Sequence, residues 1–172
     1  VEDLRVEHVF LVTGAGIMHL TDGLAKNRNL QAVPLHHEQS CSMAADAYAK
    51  VNNEFSVSMY STGPAATNAL TGLAGAWQDS VPSLFISGQV KMSESTLAQN
   101  LTGGIRQFGV QELNIGPMVE SVSKYFVQIQ DPLRIRYELE KAVHISKSGR
   151  PGPVWVEIPI CLLYTSPSPR DS

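Results

Sequence analysis

His8-Val9-Phe10-Leu11-Val12-Thr13-Gly14-Ala15-Gly16 is the stretch whose reading decides the fold. A short apolar run that ends in a glycine-bearing turn, followed by a mixed segment over residues 17–26, is how a buried strand passes into a helix. The unit recurs along the chain. Strands are expected at 31–35, 55–60, 83–87, 124–129 and 154–158, and helices at 39–51, 64–78 and 133–146. Short, nearly all-apolar strands alternating with helices form a parallel sheet covered on both faces. The pattern predicts an α/β three-layer sandwich with a six-stranded, mainly parallel sheet. Residues 90–123 interrupt it, being weakly periodic and containing Gly103, Gly104 and Gly109. A loop of that length inside a compact domain is functional or lies at an interface.

The 172 residues suffice for one core and one domain. With 43% apolar residues, 17% charged residues and a net charge of -3, nothing points to nucleic acid, and no basic run suggests a lipid surface. No stretch approaches the length of a membrane span, and residues 1–10 lack a basic-then-apolar signal pattern. Cys41 and Cys161 make neither a metal spacing nor a disulfide framework, so a reducing, cytoplasmic setting is expected. From residue 162 the chain turns into a Pro/Ser-rich string, expected to be a disordered, non-native tail over 162–172. Residues 2–5 read as the last turn of a longer helix, so residues 1–161 are expected to be a domain clipped at its start, and the chain a fragment.

Four segments fall at the C-terminal ends of strands, where open α/β sheets bind ligands. Thr13-Gly14-Ala15-Gly16 offers backbone N–H groups beside a helix start, which suits an anion, or it is only a tight turn. A dinucleotide fingerprint needs glycine three residues after Gly16, and His19 stands there. His36-His37-Glu38-Gln39 places a carboxylate at a strand-to-helix junction; the acid either does proton chemistry or simply complements the helix macrodipole. Adjacent histidines do not converge on one metal ion, so no metal site is assigned. Ser61 to Asn68 is a hydroxyl-rich helix entry with Pro64 in the first turn, and no Gly-Lys-Ser/Thr follows to make a phosphate loop. Gln89 follows Ser87-Gly88 just beyond a strand.

Taken in order, these pieces resemble the N-terminal pyrimidine-binding domain of thiamine-diphosphate enzymes of the acetolactate synthase and pyruvate oxidase group. The matching segments are Glu7 to Phe10, Thr13 to Gly16, His37-Glu38-Gln39, Ala44 to Ala49, Ser61 to Asn68, Thr71 to Ala74, Asp79 to Pro82, Gly88-Gln89-Val90 and Ser148 to Val154. They span about residues 6 to 160. The chain departs from the family's common pattern at Thr13-Gly14-Ala15-Gly16 (Pro-Gly-Gly-Ala) and at Ala65 (glycine), which leaves the substrate open.

The resemblance implies that Glu38 hydrogen-bonds N1′ of the cofactor's aminopyrimidine and shares its proton, so that thiazolium C2 can be deprotonated to attack a 2-oxo acid. Such a relay needs a carboxyl kept out of water. It implies further that Thr13, Ser61, Pro64 and Asn68 surround the pyrimidine. Gln89 would face the substrate end of the cofactor as a second catalytic group, with Gly14, Ala15 and His37 completing the substrate pocket. The family holds the diphosphate and its Mg2+ with a Gly-Asp-Gly segment in a separate domain, and no Gly-Asp-Gly occurs in these residues. The implied partner is therefore the diphosphate-binding domain of another subunit in a homo-oligomer, docked on the 90–123 stretch and the helix after Glu38. This chain alone is expected to be inactive. FAD, where used, would sit on a middle domain. Acetolactate-synthase-like carboligation is the leading activity; a simple decarboxylase or oxidase, and a non-catalytic regulatory module, stay open beside it.

Overall fold

Short runs of branched and aromatic residues, bounded by turn formers, extend because their side chains pack on both sides of a pleated sheet. In the computed structural model, which describes residues 6–101 and 103–164, they form β1 (His8–Leu11), β2 (Gln31–Pro34), β3 (Ser56–Tyr60), β4 (Ser83–Gln89), β5 (Phe126–Gln128) and β6 (Pro153–Pro159). The six strands make one sheet in the order β2-β1-β3-β4-β6-β5, with every neighbouring pair parallel. β3, β4 and β6 are buried along their whole length, as central strands under two helical layers must be.

Successive side chains point to opposite faces. Val9, Leu11, Val57, Met59, Leu84, Ile86, Val154, Val156 and Ile158 form one apolar cluster, which includes Leu24 of α1 (Met18–Lys26) and Ala142 of α6 (Ile135–Lys147). Phe10, Tyr60, Phe85 and Trp155 form the other, with Cys41 and Ala45 of α2 (Glu38–Asn52) and Leu73 of α4 (Leu70–Gln78). Tyr60, Phe85 and Trp155 stack with ring centroids 5.5 to 6.1 Å apart. α2 has a well-defined start and stop. Glu38 in its first turn and Lys50 in its last complement the macrodipole, and Asn53 ends it in the left-handed region at φ 54°.

Four features differ from the sequence expectation. The helix expected over 64–78 is split into α3 (Pro64–Thr67) and α4, because Ala69 N–H bonds to Ala66 O in a tightened turn. β4 runs two residues past Ser87, since Gly88 and Gln89 pair with Ile158 and Pro159. The described residues of 90–123 hold only short helical turns, among them α5 (Gly116–Val119). The expected tail boundary falls inside α7 (Ile160–Tyr164), where Leu162 and Leu163 pack against the first cluster instead of starting a disordered segment. The helical turn expected over 2–5, and the tail beyond 164, lie outside the described residues.

Candidate active site

The connection from β1 leads to β2 on one side, while β3 lies on its other side, so the strand order reverses between β1 and β3. A crevice opens at the carboxyl ends of strands at such a point, and it is where ligands bind in this architecture. The loops after β1 and β3 and the start of α2 converge there.

Glu38 is the first residue of α2 and is half-buried. Its Oε2 accepts a hydrogen bond from Asn68 Nδ2 at 2.9 Å, a contact that joins the β2 and β3 connections. Among the described residues, Oε1 has no protein partner. His37, immediately before it, is the helix cap: its Nδ1 accepts from Gln39 N–H at 3.1 Å. That bond leaves the His37 proton on Nε2, so any donation to a ligand comes from that atom. Gln39 Nε2 reaches Thr71 Oγ1 at 3.2 Å and fixes the first turn of α2 against α4.

The glycines after β1 let one loop pack closely on another. A Cβ on Gly14 would lie 2.3 Å from Ser61 Oγ, and one on Gly16 would lie 1.9 Å from Thr62 Oγ1. Gly16 N–H is itself donated to Ser61 Oγ at 3.3 Å, so it is taken by protein and not held out to an anion. Thr13 and Ala15 are exposed beside this contact, Gly14 and Ser61 are half-buried, and Pro64 and Asn68 are exposed on the facing loop. Gly63 has φ +60°, and a Cβ there would meet Gln111 O at 1.9 Å, so the loop after β3 also packs on the 90–123 stretch.

Gln89 is the residue whose placement departs most from expectation. It is 2% exposed and turned into the protein. Its Nε2 donates to Leu113 O at 2.9 Å and to Glu157 Oε1 at 3.1 Å, and its Oε1 accepts from Val90 N–H at 2.9 Å. Both N–H groups of the amide are engaged by protein, at Leu113 O and Glu157 Oε1. Its acidic partner went unnoticed in the sequence. Glu157 is 1% exposed, and burial pushes its carboxyl up to about 7, against the smaller opposing effect of hydrogen bonds from Gln128, Gln89 and Ser87. The signal was there: one acid inside the apolar run Val154-Trp155-Val156-Glu157-Ile158.

Glu112 organises the loop below. Its Oε1 accepts from Thr96 N–H at 2.5 Å and Thr96 Oγ1 at 2.6 Å, and its Oε2 from Phe108 N–H at 2.8 Å and Gly109 N–H at 3.2 Å. Gln111 O thus lies close against Gly63, the Glu112 carboxylate holds the loop, and Leu113 O accepts from Gln89.

A parallel sheet with a half-buried carboxylate at its switch point defines an α/β domain of the ligand-binding kind. The comparisons narrow the class. Residues 1–124 match the family model described as the thiamine pyrophosphate enzyme, N-terminal TPP binding domain, and the chain belongs to that family. It is 35% identical over 158 residues to the acetolactate synthase large subunit of Cyanidium caldarium, covering 90% of this chain and 25% of that protein. To the acetolactate synthase of Mycobacterium leprae it is 36% identical over 158 residues, covering 92% of this chain and 24% of that protein. To the large subunit of Lactococcus lactis it is 32% identical, covering 92% and 26%. The chain spans about a quarter of the length of these relatives. Among the described residues, no helix is long and apolar enough to cross a membrane.

Proposed function

We propose that this domain supplies the pyrimidine half of a thiamine-diphosphate site and works in 2-oxo acid decarboxylation and carboligation of the acetolactate synthase kind. The observation that carries the reading is the Glu38–Asn68 bond across the switch point, which holds one carboxylate oxygen and leaves the other without a protein partner among the described residues. The residues fit the group. A half-buried acid suits a ring nitrogen that gives and takes a proton, and the neutral polar groups of Thr13, Ser61 and Asn68 suit an uncharged aminopyrimidine more than a diphosphate. When bound, thiamine diphosphate supplies the electron sink for breaking the bond next to the substrate carbonyl.

The chain's own part is positional and protic. Asn68 orients the Glu38 carboxylate, and Glu38 Oε1 would exchange a proton with the ring nitrogen N1′ of the bound cofactor. Pro64, Gly14 and Ala15 bound the space, and His37 Nε2–H can donate to a substrate oxygen. The diphosphate and Mg2+ fall to the diphosphate-binding domain of a partner subunit. Leu97, Leu101, Ile105, Phe108 and Val110 are exposed along 90–123, with Met43 on α2, an apolar surface of the kind that partners cover. Among the described residues Cys41 and Cys161 form no disulfide, and the reading places the domain in a reducing, cytoplasmic compartment. Pyruvate turnover tests the reading. The chain by itself with cofactor should be silent, and the chain combined with a diphosphate-binding domain should release CO2. Silence of the combination despite bound cofactor would contradict the reading.

A further inference from the structure

We propose that Glu157 is a positioning residue, whose carboxylate fixes the side-chain amide of Gln89, and through it Leu113 of the 90–123 loop, at the ligand-facing edge of the sheet. What the positioned amide serves rests on the cofactor reading above; the junction itself does not.

The register builds the junction. Ser87, Glu157 and Gln128 are direct cross-strand partners on β4, β6 and β5, and Gln89 sits one pleat further toward the edge on the same face. Glu157 Oε1 accepts from Gln89 Nε2 at 3.1 Å and Oε2 from Gln128 Nε2 at 2.9 Å. Ser87 Oγ accepts from Trp155 Nε1–H at 2.9 Å, and its hydroxyl favours the charged form of the carboxylate. With the carboxylate ionised, only one Gln89 orientation satisfies every group. Rotating the amide by half a turn would set its oxygen against both the carboxylate and Leu113 O, and its N–H2 against Val90 N–H. A protonated Glu157 removes that requirement, because the acid then needs an acceptor where an amide N–H now points.

Few charged groups compete for Glu157. On the same face, Tyr60 of β3 donates its hydroxyl to Ser58 Oγ at 2.6 Å, Cys41 and Glu38 belong to α2, and Glu112 is engaged by its own loop. On the opposite face, Glu138 of α6 accepts from Tyr125 and pairs with Arg134. Among the described residues no lysine, arginine or histidine pairs with Glu157. Buried polar groups so arranged fix one packing because every alternative leaves one of them unsatisfied.

The test follows the side-chain amide protons of Gln89 and Gln128 by NMR from about pH 5 to about pH 9, in the protein without cofactor. Both sets should titrate together with one midpoint near neutrality, and both titrations should vanish in Glu157→Gln. Gln128→Leu provides a second variant should the first not fold, and there the Gln89 titration should persist. Amide protons that stay flat across the range in the unsubstituted protein would overturn the proposal. So would a titration that survives in Glu157→Gln or is lost in Gln128→Leu. Repeating the series with thiamine diphosphate and the partner domain separates the two ideas: a junction that titrates without any response to cofactor counts against the cofactor reading alone.

Discussion

Glu112→Gln should loosen the 90–123 loop while leaving the sheet intact. The native carboxylate accepts four hydrogen bonds, two at each oxygen, from Thr96, Phe108 and Gly109. An amide keeps one oxygen, so two donors come to face an N–H2 group instead of an acceptor. Hydrogen bonds to an ionised group contribute about 1.5–3 kcal/mol each; because Glu112 is partly exposed, water replaces some of the loss, leaving about 2–3 kcal/mol for the two. Through local opening, that free energy corresponds to about 30- to 150-fold faster amide exchange. Hydrogen–deuterium exchange at Thr96, Phe108 and Gly109 measures it, with Ala142 in α6 as the reference that should not change. Burial pushes the Glu112 carboxyl up, but the bonds from Thr96, Phe108 and Gly109 outweigh it and hold the group below the ordinary 4.5. A depressed folded value means the stabilisation is present above the unfolded value and lost as pH falls through the folded one. Acid should therefore release the loop in the native protein and have little further effect on it in Glu112→Gln. Unchanged exchange at the three amides, or an equal rise in α6, would refute the reasoning.

Other outcomes follow from single contacts. Gly63→Ala places a Cβ at φ +60° and 1.9 Å from Gln111 O; it should cost about 1–3 kcal/mol from backbone strain alone, read as a lower urea midpoint. Glu157 has the opposite pH behaviour to Glu112. Its folded value near 7 lies above the ordinary 4.5, so the native state holds the extra proton, and its contribution is complete below the unfolded value and lost as pH rises through the folded one. Chemical denaturation between about pH 5 and about pH 8 should show a decline on the order of 3 kcal/mol from this group. Glu157→Gln should flatten that decline. Asn68→Ala, at an exposed position, should change stability by no more than about 0.5 kcal/mol, yet slow turnover in the assembled enzyme by freeing the Glu38 carboxylate to rotate.

The sheet was legible because its strands are short, apolar and regularly separated by helices, and residues such as Val9-Phe10-Leu11 or Val154-Trp155-Val156 have few alternatives to burial. Glu38 was legible for a local reason as well: an acid right after a strand, at the first turn of a helix, is visible without knowledge of partners. What was hidden depends on residues distant in sequence. Ser87-Gly88-Gln89 read as a polar exit from β4, whereas pairing with residues 157–159 extends the strand and buries Gln89. The role of Gly14 and Gly16 depends on Ser61 and Thr62, over 45 residues later, filling their space. Leu162 and Leu163 read as the edge of a polar tail, yet a sheet face supplies apolar partners for them. The split of α3 from α4 hangs on one tightened turn that helix propensity does not signal.

The measurement closest to the heart of the account is proton exchange at C2 of thiamine diphosphate bound to the assembled enzyme, followed by quenched-flow NMR for the native protein and for Glu38→Gln. Glutamine keeps the size and the Asn68 contact but cannot take a proton from N1′, so exchange should fall by at least about a hundredfold, the scale of a lost general acid–base group. Exchange in Glu38→Gln at the native rate, with cofactor still bound, would contradict the account.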